Sequence, residues 1–202
     1  MSNHRIKMTI EGQEFETFED ILPQSPEFKI LFVGKVPAPH SVSAGHYFYK
    51  NAAFWNRLKE FGIMTVPHGQ YGDDCLVEHN YGITDIIKKP RSFGNEPSDA
   101  EYKEGIARFF DLLRTNRPKV LVFIYKGALD KILHIKYGIK TYAHYGFNVE
   151  LESLFNSKVF AFPMPGTPCR REDAHLHMKE LSTFIDHLEA DCHGVFIRRD
   201  KI

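Results

Sequence analysis

FKILFVGKVPAPHSVSAGHYFYKNAAFW, Phe28 to Trp55, opens with the apolar run Ile30–Val33 that a buried strand needs. Gly34 breaks the run, and Pro37 and Pro39 stiffen the loop after it. A short polar tract then leads to Tyr47, Phe48 and Tyr49 and to the pair Phe54–Trp55. In an α/β sheet, the loop at the carboxyl end of a strand is where ligands usually sit. A rigid backbone beside flat rings suits a flat ligand such as a nucleobase.

Outward from this stretch, strand and helix signals alternate. Residues 28–33 read as a strand, and Asn51–Phe61 as an amphipathic helix with Phe54, Trp55, Leu58 and Phe61 at helical spacing, closed by Gly62. Gly82–Ile87 is a short apolar stretch ahead of Lys88, Lys89 and Pro90. Ser98 with Glu101 makes a capping box, opening a helix that carries Ile106, Phe109, Phe110 and Leu113 and is expected to end at Pro118. Val120–Tyr125 is a continuous apolar run typical of a parallel strand covered on both faces. Ala128–Leu133 starts another helix, and Ser157–Phe162 is the last strand. Glu172–Leu188 forms a long final helix with Leu176, Leu181, Ile185 and Leu188 as its apolar residues. The pattern predicts one domain over residues 1–202, a three-layer α/β/α sandwich around a short, mostly parallel sheet. Residues 1–27 are expected to be a polar lead-in rather than a core element, and 193–202 a mobile tail.

Composition narrows the class without naming it. The 202 residues carry 26 basic and 26 acidic side chains, so net charge advertises no polyanionic partner, although a local basic face could still bind DNA. Cys75, Cys169 and Cys192 lack CxxC spacing and are too few for a conventional iron–sulfur cluster. His175 and His177 point to different helix faces, so neither a metal nor a cofactor is expected. The polar N-terminus lacks a secretory signal, and no apolar run approaches a membrane span. A cytoplasmic location (nuclear in a eukaryote) is the expectation, with no membrane partner and a monomeric state. Asp73-Asp74 and Lys88-Lys89 read as solvated loop charges, and Phe54 and Trp55 as core.

Two strands, Ile30–Val33 and Ser157–Phe162, run into loops rich in Pro and Gly. In one parallel sheet both loops emerge on the carboxyl-end face, where open backbone N–H groups can hold a phosphate or a developing anion. Such loops also serve as plain chain reversals.

The ordered set of motifs resembles the uracil-DNA glycosylase superfamily, nearest its mismatch-specific uracil/thymine branch, with a second likeness to hypoxanthine-DNA glycosylases. Glu19–Leu22 resembles the lead-in of the mismatch-specific branch, and Gly34-Lys35-Val36-Pro37-Ala38 stands where that branch has Gly-Ile-Asn-Pro-Gly. Ser43-Ala44-Gly45 through Phe54-Trp55 matches the following loop, one residue shorter. Tyr81-Gly82-Ile83-Thr84-Asp85 with Lys89-Pro90 and Asn95-Glu96 matches the middle signature. Arg117–Val120 and Lys126-Gly127 fit the third-strand region. Pro163-Met164-Pro165-Gly166-Thr167-Pro168-Cys169-Arg170 sits at the minor-groove wedge loop.

The resemblance implies hydrolysis of an N-glycosidic bond after a deaminated or mismatched base is flipped from double-stranded DNA. Phe48 would stack on that base, and backbone groups from Gly34 to Ala38 would contact its edge and steady the departing anion. Pro165, Gly166, Thr167 and Pro168 would form the wedge, with Arg170 and Arg171 near phosphates at the last helix's start. The mismatch-specific enzymes carry a water-orienting Asn at the position of Val36, and Val cannot hold water. Hypoxanthine-DNA glycosylases also have an apolar residue there, with an important Asn before the Phe-Trp pair; Asn51 stands one residue off that place. His40, from its loop, and Asp85, behind an apolar strand, are the other catalytic candidates. Lys35 could meet phosphate or point to solvent, and Asp85 could equally be a cap or loop hydrogen-bond acceptor. Two rival functions stay open: an inactive relative that recognises damaged or single-stranded DNA, and a hydrolase of free nucleosides or nucleotides.

Overall fold

The computed structural model describes residues 3–10 and 12–194, with backbone only for 191–194. Its centre is a five-stranded sheet of β3 (Glu27–Gly34), β4 (Tyr81–Asp85), β5 (Arg117–Phe123), β6 (Gly146–Phe147) and β7 (Lys158–Ala161). The spatial order is β4-β3-β5-β7-β6. Neighbours are parallel except for β6, a two-residue antiparallel edge on β7. The expected mostly parallel α/β sheet is present.

Alternation within the apolar runs builds the layers, because successive strand residues point to opposite faces. Ile30, Phe32, Val120, Val122 and Phe160 pack on one face with Phe54 and Leu58 of α2 (Ala52–Glu60) and Met178, Leu181 and Ile185 of α6 (Arg171–Gly194). Leu31, Val33, Leu121, Phe123 and Val159 pack on the other face. There they meet Ile106 and Phe109 of α3 (Asp99–Thr115) and Leu129 and Ile132 of α4 (Lys126–Tyr137). These strand residues are fully buried, so near-continuous hydrophobicity is what the sheet's double cover demands.

The predicted capping box opens α3: the Ser98 hydroxyl accepts from the Glu101 N–H while Glu101 accepts from the Ser98 N–H. That N–H first, with Arg91 and the Ser98 hydroxyl, holds the Glu101 carboxyl down at about 2 against the opposing effect of burial. The helix ends at Thr115 rather than at Pro118, which lies in β5 opposite Phe28. Pro39 does not lie in an open loop but starts a short helix, α1 (Pro39–Ala44), as its fixed φ allows.

The lead-in reading of residues 1–27 is wrong. Arg5–Ile10 and Gln13–Phe18 form the antiparallel hairpin β1–β2, and Phe18 and Ile21 join the core. Ile21 bridges to Ile83 of β4 through reciprocal backbone hydrogen bonds of 3.1 and 2.8 Å. On α6, Leu176 is 56% exposed, and the buried stripe instead runs through Ala174, Met178, Leu181 and Ile185. Of the expected 193–202 tail, His193 and Gly194 close α6 and the remainder lies outside the described residues. Among the described residues no helix is long and apolar enough to cross a membrane.

Candidate functional site

The carboxyl ends of β3, β4, β5 and β7 meet on one edge of the sheet, as their parallel pairing requires. Gly34 and Asp85 are cross-strand partners at the last register position of β3 and β4. A Cβ at residue 34 would lie 2.0 Å from Asp85 Oδ1, so glycine is what lets the carboxylate sit against the β3 backbone. From there residues 34–37 are strapped to the β4 exit by Ile86 N–H to Gly34 O, Ile87 N–H to Lys35 O and Arg91 N–H to Pro37 O. The N–H groups of Lys35, Val36 and Ala38 make no hydrogen bond among the described residues.

Asp85 is the outstanding group of this edge. It is 3% exposed, and its Oδ2 has no hydrogen-bond partner among the described residues. Burial pushes its carboxyl up to about 7; Lys88 and Arg108 oppose that rise and Asp20 adds to it. The ring hydroxyls of Tyr47 and Tyr125 are raised in pKa first by their own burial and then by the Asp85 charge.

Behind Asp85 lies an ionic cluster of one buried cation, Lys88, with the half-buried Asp20 and Arg108. Asp20 Oδ1 is 2.6 Å from Lys88 Nζ, and Arg108 Nη1 donates to Asp20 Oδ2 at 2.7 Å. Arg108 also donates to the Asp85 carbonyl and, at 3.2 Å, to the Thr84 hydroxyl, and Lys88 Nζ donates to Phe18 O at 3.0 Å. Burial favours the neutral forms of Asp20 and Lys88. For Asp20 the two cations outweigh it, and its carboxyl ends below the ordinary value; the Lys88 amine ends lowered. Lys88 is therefore not the solvated loop charge expected, since only a buried acid close by can hold it in the core. Asp73 is likewise buried, accepting from the Tyr47 N–H at 2.7 Å.

Phe48 stands beside this edge with its ring 4.8 Å from that of Phe54, 6.2 Å from Trp55 and 6.5 Å from Tyr125. Its φ is +55°, a left-handed conformation that costs a bulky residue roughly 1–2 kcal/mol. The Asn51 N–H donating to Phe48 O at 2.9 Å helps hold it. Tyr47, Phe48, Trp55 and Tyr71, with Lys50 and Lys59 at the rim, line a cleft of about 260 Å³. Aromatic walls with a cationic rim suit a stacked base on a phosphate backbone.

The other expected residues are more dispersed. Asn51 begins α2 without a side-chain cap bond, and His40 is exposed on α1. Lys35 turns to Glu96, and Val36 packs against the α3-side core. The Pro163–Arg170 loop projects from β7: Pro163 and Met164 are buried, whereas Pro165, Gly166, Pro168 and Arg170 are exposed. Thr167 N–H closes a turn on Met164 O at 3.2 Å, and Gly166 supplies its φ of +85°. Arg57 donates to Pro163 O, tying the loop to α2. Arg170 is bound by two contacts of 2.7 and 3.0 Å to Asp173, and Arg171 lines a cleft with Arg57 and His175.

A family model of the Uracil DNA glycosylase superfamily matches residues 23–185. The chain belongs to that superfamily. The G/U mismatch-specific uracil DNA glycosylase of Schizosaccharomyces pombe is 25% identical over 134 residues, covering 64% of this chain and 41% of that protein. The chain thus spans about two fifths of that relative's length. The loop after β3 and the projecting loop after β7 leave the same edge of the sheet. From sequence, Tyr125, Asp20 and Arg108 are not named as site residues, and Lys88 reads as a loop charge. Only the polar ending of an otherwise apolar β4, at Thr84-Asp85 and again at Lys88, hinted at them.

Proposed function

We propose that the chain is a monofunctional DNA glycosylase that hydrolyses the N-glycosidic bond of a deaminated or mismatched base flipped out of duplex DNA. The observation carrying this reading is Asp85: a buried carboxylate with an unpaired oxygen, titrating near neutrality, at the strand ends beside the Gly34–Ala38 loop. A general base works best when its pKa lies near the operating pH. In this reading Asp85 takes a proton from water as the water oxygen bonds to the sugar's anomeric carbon. The carbon–nitrogen bond breaks in the same passage, and the base leaves with the electron pair. The N–H groups of Lys35, Val36 and Ala38 steady the resulting anion, which is later protonated. Phe48 stacks on the base, and the loop from Pro165 to Pro168 fills the gap left in the duplex, with Arg170 and Arg171 at phosphates. Asn51 and His40 are kept as auxiliary candidates, without a hydrogen bond that ties either to Asp85.

Incubating the protein with duplex and single-stranded oligonucleotides bearing uracil, hypoxanthine or xanthine tests this reading. Alkali-labile sites at one or more lesions are expected. Tight binding with every lesion intact would favour a recognition protein, a reading that Val36 in the water-orienting position supports. Turnover of nucleosides alone would favour the free-nucleoside reading.

Two further outcomes are expected. Pro168→Gly and Arg170→Ala should each weaken binding to a lesion duplex about tenfold, with Arg170→Ala also reducing the salt slope by roughly one ion. Unchanged affinity in gel-shift titrations would remove the loop from the DNA interface. Val36→Asn should leave uracil release within about threefold of wild type if Asp85 already serves the water, since a second water-holding group adds little to a general base already in place. A gain of tenfold or more would mean that water is poorly held without it.

A further inference from the structure

Four side chains outside this edge converge from three separate parts of the chain. His4 precedes the hairpin, His46 lies between α1 and α2, and Asp73 and Asp74 share one turn of 3₁₀ helix, Asp73–Cys75. One donor atom from each lies within 4.8 Å of every other. His4 Nε2 is 3.0 Å from Asp74 Oδ1, and His46 Nδ1 is 3.2 Å from Asp73 Oδ1. A tetrahedral zinc with ligands at about 2.0–2.1 Å has ligand–ligand edges of roughly 3.3–3.4 Å. The two short pairs lie within a few tenths of an ångström of that edge and need only open slightly, while the other separations, within 4.8 Å, close up around the ion.

The surroundings also fit a cation. Glu19 Oε1 lies 3.1 Å from His4 Nδ1, the second-layer carboxylate that fixes a ligand imidazole's tautomer and leaves Nε2 free to bind. Backbone bonds set the approach: His4 N–H donates to Gly45 O at 3.1 Å, and Glu19 N–H donates to His4 O at 2.9 Å. His46 is further clamped by stacking on Tyr71, with ring centroids 3.6 Å apart. Asp73 Oδ2 is occupied by the Tyr47 N–H, which aims Oδ1 at the cluster. Three carboxylates, Glu19, Asp73 and Asp74, meet here, and among the described residues no lysine or arginine pairs with any of them. With both imidazoles neutral the cluster carries three negative charges, and His46 and Asp73 are almost wholly buried.

We propose that His4, His46, Asp73 and Asp74 form a structural binding site for a divalent transition-metal ion, zinc above all, that fastens the N-terminal segment to the loop carrying Tyr47 and Phe48. The donor set of two imidazoles and two carboxylates is complete and closed, the pattern of a structural rather than a catalytic centre. These ligands come from residues 4, 46, 73 and 74, with none of the short spacing of a local metal motif, and are brought together only by the fold.

Tag-free full-length protein, stripped with a chelator and dialysed against zinc, tests the site by elemental analysis, calorimetric titration and thermal melting. One zinc per chain and a higher Tm with zinc are expected. Glu19→Gln should bind zinc about 10–100-fold more weakly. His4→Ala and Asp74→Asn should lose stoichiometric zinc while keeping the wild-type circular dichroism spectrum, because neither change touches the backbone bonds. Cobalt in place of zinc should give the intense visible bands of a tetrahedral ion. Failure of the stripped wild type to take up zinc, zinc retention by His4→Ala at wild-type affinity, or a pale octahedral cobalt spectrum would each overturn the proposal. All these readouts are independent of glycosylase activity, so they stand whatever the outcome of the lesion assays.

Discussion

Base release from a lesion duplex is expected to fall about 10²–10⁴-fold in Asp85→Asn, the usual cost of losing a general base. The substitution keeps the shape of the side chain, and circular dichroism should be unchanged. In the wild type the single-turnover rate should rise with pH through about 7, because only the ionised carboxylate can accept the proton from water. Stability should move the opposite way. Burial lifts the folded-state value from 3.8 to about 7, so between those values the native protein holds a proton that the unfolded chain has released. Raising the pH through that interval therefore destabilises the native state, by a few kcal/mol at most, at about 1.4 kcal/mol per pKa unit. Asp85→Asn removes this penalty and should melt higher than wild type at pH 8, with the gap closing towards pH 4. Retention of activity within threefold, or a melting point lowered at pH 8, would take the general-base role away from Asp85.

Lys88→Met is the second large effect. Its ammonium lies in the core against Asp20 and Phe18 O, so removing it leaves the half-buried Asp20 with Arg108 as its remaining cation. Breaking such a pair costs about 3–5 kcal/mol, and the retained Arg108 puts the expected loss near 3. Urea unfolding at pH 7 measures it, and a loss below about 1 kcal/mol would mean that the pair is dispensable. The same change should move the pH midpoint of base release above that of the wild type, because Lys88 is the main charge holding the Asp85 value down. A midpoint that stays in place would uncouple the cluster from Asp85.

Much of the fold was legible because burial on both faces leaves a plain mark. The runs Ile30–Val33 and Val120–Tyr125, the latter as far as Phe123, and Ser98 with Glu101 became strands and a capped helix. The hairpin was missed because its strands are tied by Arg5–Glu16 and Lys7–Glu14 pairs, whose charges mimic a solvated lead-in although Ile6, Met8 and Ile10 alternate. Buried charge misled in the same way. Asp73 and Lys88 look like surface residues until their distant partners are known, and those partners are a property of the fold rather than of local sequence. Asp85 could be nominated from its place after an apolar strand. Its unpaired oxygen and raised titration could not, since both depend on Gly34, Asp20 and Lys88 arriving from elsewhere.

The contact between Gly34 and Asp85 also governs how this sequence can change over generations. While an acid stands at residue 85, any side chain at residue 34 collides with it, so the glycine is pinned. A lineage that lost the acid would release that constraint and could gain a side chain at residue 34 at no cost. The acid could then return only after the newcomer had been removed. The pair acts as a ratchet: loss of chemistry at this edge is an easy single step, and its recovery must retrace two in the right order.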